Sequence, residues 1–262
     1  MSEAPEKINH PYVAQTSAAS SARSGGEQSH AERVPFHGLL ANRLLATLSG
    51  EDFARLLPHL EPVSIQAGKE IYKFEEDVTF AYFPEDMVVS RLHVLADGGI
   101  TETALIGREG MIGLSAILNP LQLTACTQVL VGGSALRLPT KILRQEFARG
   151  GGLQQVLLTY AGARIAQISQ RAICNGRHKL EERFCCWLLM VQDRAGANRL
   201  PLTHEQMARH LGVRRAGVTG VAHALRDKDI INYSRGHVTI LDRQAMEATA
   251  CECYSAPRLP LN

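Results

Sequence analysis

The sequence predicts an α+β chain built from an N-terminal antiparallel β-barrel of jelly-roll type, a long helix and a C-terminal winged helix-turn-helix. Three observations predict it. Between Glu61 and Leu138, short β-rich runs are cut by turn signals at Gly68, Pro84, Gly98, Gly99, Gly107, Gly110 and Gly113, the pattern of an antiparallel sandwich or barrel. After the glycines at 150–152, one helical pattern continues to about Cys174. Near the C-terminus, "LTHEQMARHLGVRRAGVTGVAHAL" holds two apolar-periodic runs around Gly212, and "IINYSRGHVTIL" reads as strand, turn, strand.

The bulk numbers allow such a chain. There are 262 residues, 45% of them hydrophobic, enough for a core in one large domain or two modest ones. The net charge of +2 is unevenly spread. From Thr203 to Arg243 seven Lys/Arg face four Asp/Glu, a local +3 that leaves −1 for the remainder. A basic module on a near-neutral body suits an anionic partner such as DNA. The start, MSEAPEKINH, has no apolar core of the secretory type, and no run approaches the length of a membrane span, so a cytoplasmic location is expected. Six cysteines (126, 174, 185, 186, 251 and 253) fit no zinc pattern of two well-spaced pairs, so no metal site is expected and most thiols read as reduced and structural.

Residues 1–36, rich in Ser, Ala, Gly and Glu, read as a disordered tail. Within the barrel segment, 37–140, Leu39, Leu40, Leu44, Leu45 and Leu48 fall at helical spacing, and Ser49 reads as the cap of a short helix, 50–57, ended near Pro58. The linker and long helix occupy 141–175. Leu158, Ala161, Ile165, Ile168 and Ala172 alternate spacings of three and four, a coiled-coil seam over about two heptads and a candidate dimer interface. The same spacing suits an ordinary helix packed on its own barrel. Asn175-Gly176 reads as its end and as a hinge. The winged unit, 176–250, opens with a helix carrying Leu180, Phe184, Trp187, Leu188 and Val191 on one face, with Cys185 and Cys186 as small core residues. Residues 251–262 form a tail. Its Cys251 and Cys253, at i and i+2, would not face each other on a helix, so a thiol or metal switch there is a minor alternative.

The helix-turn-helix reading rests on several residues together. Thr203 and Gln206 form a capping box, and Ala208 is small where a second helix must cross. Gly212 provides the positive φ of a tight turn. Val213, Val218, Val221 and Leu225 continue the core along the second helix. Arg214 and Arg215 then stand at the start of the helix that would enter a major groove, where an arginine can hold guanine O6 and N7 in bidentate fashion. Thr219 lies one turn beyond Arg215 and could reach a base or phosphate. His223, Arg226 and Lys228 lie further along, nearer the backbone. Arg235 sits at the tip of the wing as a phosphate contact. The candidate DNA-binding set is Thr203, Arg214, Arg215, Gly217, Thr219, His223 and Arg235.

The order of these parts resembles the Crp/Fnr family of bacterial transcription regulators, from about residue 37 onward. The motifs that carry the resemblance are "LTHEQMARHLGVRRAGVTGVAHALRDKDIINYSRGHVTIL", "AYFPEDMVVSRLHVLADG" and "LIGREGMIGLSAIL". The resemblance implies a cyclic-nucleotide-binding-like barrel, and a homodimer paired through the long helix on a pseudo-palindromic operator. Two recognition helices would then enter successive major grooves roughly 34 Å apart. RNA polymerase and a small effector are further partners it implies. The departures are informative. The Gly-Glu and Arg-Ser pairs of cyclic-AMP-binding members read Gly113-Leu114 and Leu123-Thr124 here, so no cyclic-AMP response is expected. There is no cysteine before Cys126 for an iron–sulfur cluster, and His93, the one strand histidine open to haem, reads as structural. In the recognition helix Arg215 matches the family's first base-reading arginine, while Ala216 and Gly220 replace its partners, so the operator should differ from the cyclic-AMP receptor's.

The alternative function is a ligand-sensing module that acts mainly through protein partners. An enzyme has little support: "GREGMIG" lacks the Lys-Ser/Thr of a P-loop, and there is no nucleophile elbow or metalloprotease histidine pair.

Overall fold

The computed structural model describes residues 41–73, 77–95, 99–118 and 125–255. The expected N-terminal tail, Leu39, Leu40 and the Leu123-Thr124 pair lie outside the described residues. The chain enters through two short helices whose caps are written in the sequence. Asn42 caps α1 (Arg43–Ala46): its Oδ1 accepts from the Leu45 N–H, while its Nδ2 donates to the carbonyls of Pro84 and Gly110 and so fastens the helix to the sheets. Ser49 caps α2 (Gly50–Leu56), and a 3-10 turn over Leu57–His59, with Pro58 inside it, ends the pair.

Seven strands follow: β1 (Glu61–Ile65), β2 (Glu70–Tyr72), β3 (Phe80–Pro84), β4 (Val88–Val94), β5 (Ile100–Ile106), β6 (Cys126–Val131) and β7 (Gly133–Pro139). They form two antiparallel sheets, ordered β1-β7-β3 and β2-β6-β4-β5. Val63 and Ala135 from the first meet Tyr72, Val89, Ile106 and Val129 from the second in one apolar layer. The two stacked antiparallel sheets are the expected jelly-roll arrangement; among the described residues their ladders stop at the sheet edges and do not close into a ring. Register shifts at Val88/Val89 and Arg91/Leu92 bend β4, and two curved sheets stacked face to face bury the same side chains that a closed barrel would.

Helix α3 (Ser115–Leu118) and helix α4 (Thr140–Ala148) flank the sandwich. The long helix, α5 (Gly152–Arg177), has two faces. Leu153, Leu157, Tyr160 and Arg164 are buried against the chain's own body. The Tyr160 hydroxyl donates to the Met111 carbonyl and accepts from the Met111 N–H, and a Cβ on Gly110 would collide with it. On the other face Leu158, Ile165 and Ile168 are 46%, 67% and 45% exposed; Ala172 is exposed as well and Ala161 half-buried. The helix does not end at Asn175-Gly176. It continues through both to Arg177, and the extended residue is His178. A single glycine costs a helix only about 1 kcal/mol, and here Cys174 is anchored in a buried cluster one turn before the end, so packing overrides the local signal.

The C-terminal unit comprises α6 (Leu180–Ala195), β8 (Arg199–Leu200), α7 (His204–Leu211), α8 (Arg215–Asp227), β9 (Ile231–Ser234), β10 (His237–Ile240), α9 (Arg243–Thr249) and a 3-10 turn (Glu252–Tyr254). Its small sheet has the order β8-β10-β9. Phe184, Trp187, Leu188, Leu211, Val218, Leu225 and Val238 form its core, each a side chain whose full burial contributes roughly 1.5–3 kcal/mol. Val213 and Val221 pack at its edge. Val88, Leu105 and Leu130 of the four-stranded sheet belong to the same cluster, so one apolar core runs from the sandwich into the winged unit.

Candidate DNA-binding interface

Helix α7 starts with both halves of a capping box: Thr203 Oγ1 accepts from the Gln206 N–H, and Gln206 Oε1 accepts from the Thr203 N–H. It stops at Gly212, whose φ of 65° and N–H to the Arg209 carbonyl, together with the Val213 N–H to the Ala208 carbonyl, close the end in a left-handed cap. Helix α8 begins three residues later without a side-chain cap. Arg214 occupies the N-cap position with extended backbone, and Arg215 is the first helical residue. Both are exposed, and neither has an ion-pair partner among the described residues. The first turn of α8 therefore leaves backbone donors open beside two cations, the chemistry that attracts phosphate and guanine acceptors.

The rest of the expected set surrounds this start. His204 stacks on Tyr233 of β9 with ring centroids 4.1 Å apart, and its Nδ1 lies 3.1 Å from Thr219 Oγ1. Thr219 also donates to the Arg215 carbonyl at 3.1 Å, so its hydroxyl is engaged within the protein and locks α7, α8 and the wing together. Burial first, then the charges of Arg215 and His223, hold the His204 imidazole below its ordinary pKa. A Cβ on Gly217 would lie 3.0 Å from Leu180 Cδ2; this glycine lets α8 approach α6. His223 is exposed, while Arg226 and Lys228 pair with Asp227 and Glu181. The wing turns through Arg235 and Gly236 at φ 50° and 77°, a two-residue hairpin turn of type I′. Left-handed backbone costs a side chain such as arginine about 1–2 kcal/mol. That strain places a cation at the wing tip, and a Cβ on Gly236 would sit 3.6 Å from Thr203 Cγ2. The wing tip and the start of α7 are thus adjacent, and His204 and Thr219 join them to the start of α8.

The opposite side of the winged unit docks on the sandwich through a carboxylate that the sequence reading did not single out. Glu102, on β5, is 2% exposed. Its Oε1 accepts from Arg171 Nη2 at 2.8 Å and from Trp187 Nε1 at 3.0 Å. Its Oε2 accepts from Ser90 Oγ at 2.6 Å and lies 3.0 Å from His210 Nδ1. Burial would raise this carboxyl, but Arg171, His210 and Ser90 outweigh it and hold it at about 2. One residue thus joins β4, β5, α5, α6 and α7. A second pair, Arg194 Nε to Glu109 Oε1 at 2.7 Å, fixes the far end of α6 to the sandwich.

Cys185 and Cys186 are buried in α6 as expected, and burial raises the Cys185 thiol to about 12. Cys251 and Cys253 differ from expectation. Cys251 precedes the 3-10 turn and is not helical, so the i and i+2 thiols converge. With Cys174 and His178 they place four donor atoms within 4.8 Å of one another.

Uncapped recognition helix, strained basic wing and two-sheet sandwich define a winged helix-turn-helix DNA-binding regulator with an N-terminal β-sandwich module. Residues 182–249 match the Crp-like helix-turn-helix domain. The whole described fold is that of the Crp/Fnr transcription regulators. It is similar to a protein from Eubacterium rectale assigned to the Crp/Fnr family (TM-score 0.64, 19% identity, covering 79% of this chain and 96% of that one). It is also similar to FixK2 from Bradyrhizobium japonicum (0.62, 17%, 73% and 98%). A third similar structure is a CRP-family transcriptional regulator from Thermus thermophilus (0.62, 17%, 76% and 99%). No curated protein matches the chain in sequence. No helix among the described residues is long and apolar enough to cross a membrane.

Proposed function

We propose that the chain acts as a homodimer that reads a pseudo-palindromic operator. Helix α8 lies in the major groove, with Arg214 and Arg215 on base edges and Arg235 on the flanking phosphates. The observation that carries this reading is the exposed pair of arginines, free of ion pairs among the described residues, at the uncapped start of α8. Thr203, at the start of α7 beside the wing tip, lies where the backbone passes, and His223 follows along the groove. Gly217 and Thr219 act through geometry, by allowing the close approach of α6 and by fixing α8 to α7 and the wing. Dimerisation uses the bare stripe of Leu158, Ala161, Ile165, Ile168 and Ala172, since such apolar side chains gain from burial against a second copy.

The boundaries near 140 and 177 make a sandwich that senses, a helix that pairs and a unit that binds DNA, in a non-enzymatic cytoplasmic regulator. Gly113, at φ 97°, is hemmed by Tyr72 and Ala81, and Leu114 offers no carboxylate to a ribose, so cyclic AMP is not the effector. A different small effector, or contact with RNA polymerase, sets the output. Genome-wide footprinting of the protein in its own cell tests the reading. Paired half-sites about 10 base pairs apart, centre to centre, are expected. Footprints on single half-sites, or none, would contradict it.

A further inference from the structure

The joint between α5 and α6 holds chemistry that DNA binding does not use. Cys174 and His178 stand four residues apart at the end of α5 and project from one side. Cys251 and Cys253 come from the far end of the winged unit, 77 residues later in the case of the Cys174–Cys251 pair. The sulfurs of Cys174 and Cys251 are 3.6 Å apart, and Cys253 Sγ is 3.5 Å from His178 Nδ1. A tetrahedral zinc ion, with bonds of about 2.3 Å to sulfur and about 2.05 Å to nitrogen, separates its sulfurs by about 3.8 Å and sulfur from nitrogen by about 3.6 Å. Two edges of the tetrahedron are therefore already formed. The remaining edges, none longer than 4.8 Å, need side-chain rotations of about 1 Å.

The surroundings fit as well. His178 Nε2 lies 3.0 Å from Glu252 Oε1, the carboxylate–imidazole contact that orients a metal-bound histidine through its other nitrogen. Three thiolates and a divalent ion leave one negative charge. Gln170 Nε2 donates to Cys253 Sγ at 3.1 Å. Arg183, within electrostatic range of Cys174 and Cys251, has a buried Nε–H with no acceptor among the described residues. We propose that Cys174, His178, Cys251 and Cys253 bind one zinc-class divalent ion, which clamps the end of the long helix to the C-terminal end of the winged unit. Soft sulfur donors with one imidazole in a closed tetrahedral set favour zinc over harder cations. The four ligands leave no open position, so the ion is structural. Binding expels the thiol protons, so affinity rises with pH.

The test uses the full chain, stripped with chelator under reducing conditions and titrated with cobalt(II) and then zinc(II). Expected are one ion per protomer, thiolate-to-cobalt charge-transfer and tetrahedral d–d absorption, and bleaching of both by zinc. Cys253→Ser and His178→Ala, at half-buried positions, should each weaken zinc at least about 100-fold, and Glu252→Gln about 10-fold, as an outer-sphere partner does. Cys126→Ser should change nothing. Zinc should also raise the unfolding temperature of the unmutated chain, a readout that needs no variant. Octahedral cobalt spectra, equal affinity in Cys253→Ser and the unmutated chain, or a Cys174–Cys251 disulfide that re-forms in air and is indifferent to zinc would each overturn the proposal. DNA binding plays no part in these readouts, so they stand or fall apart from the operator reading.

Discussion

The winged unit turns two kinds of arginine in two directions. On its inner side, Arg171 of the adjoining α5 meets Glu102 of the sandwich, Arg194 of α6 meets Glu109 of the sandwich, and Arg183 of α6 donates to the Leu211 carbonyl within the unit at 2.6 Å. Toward solvent, Arg214, Arg215 and Arg235 are exposed and have no ion pair among the described residues. The sequence weights these residues alike, yet only the second group is free to neutralise an outside anion. The contrast separates cations that hold the molecule in one arrangement from cations held out by it. It also shows what pre-organises the outer set: a glycine-capped turn, a strained hairpin and an inner face fixed by a fully bonded carboxylate.

Substitutions at four positions sharpen the contrast, the largest effect first. Glu102→Ala leaves Arg171 and His210 facing an empty site and should destabilise the chain by about 3–5 kcal/mol in denaturant titrations; Glu102→Gln should lose less. Because the folded-state pKa of Glu102 lies below its unfolded value, its contribution is complete above about pH 4.5 and fades as pH falls toward 2. Acid titration should therefore flatten in the Gln variant. On the outer face, Arg215→Ala should leave unfolding unchanged but cost about 1–3 kcal/mol on the specific operator, with relaxed base preference at one position. Thr203→Ala removes the reciprocal cap and should cost about 1 kcal/mol of stability. Arg235→Ala should weaken all duplexes nearly equally and reduce the salt slope by about one. Reversed roles for Arg215 and Arg235 would show that reader and clamp have been exchanged.

The outer face was legible in the sequence and the inner one was not, for a physical reason. Caps, turns and short apolar periods are local: Thr203 with Gln206, Gly212, and Arg235-Gly236 all act within a few residues, so spacing alone announces them. The two-faced α5 was also legible, because one period carries it. Glu102 could not be read this way. Its partners lie on four other elements, and nothing in "ITETALI" marks a carboxylate as buried. The convergence of Cys174 and His178 with Cys251 and Cys253 was hidden likewise, by sequence distance and by taking the thiol pair as helical. The helix passing through Gly176 shows tertiary anchoring overriding a local stop signal, and the two unclosed sheets show that alternation fixes which face is buried but not how ladders end.

The most direct test of the outer face is equilibrium binding of the full chain to a duplex recovered by footprinting, measured across a salt series beside the Arg214→Ala/Arg215→Ala double variant. Log affinity should fall steeply and linearly with log salt, as released counterions require. The double variant should lose its preference for that duplex over unrelated DNA while its unfolding curve is unchanged. Failure of the unmutated chain to bind any duplex at low ionic strength, or full sequence preference in the double variant, would contradict this reading.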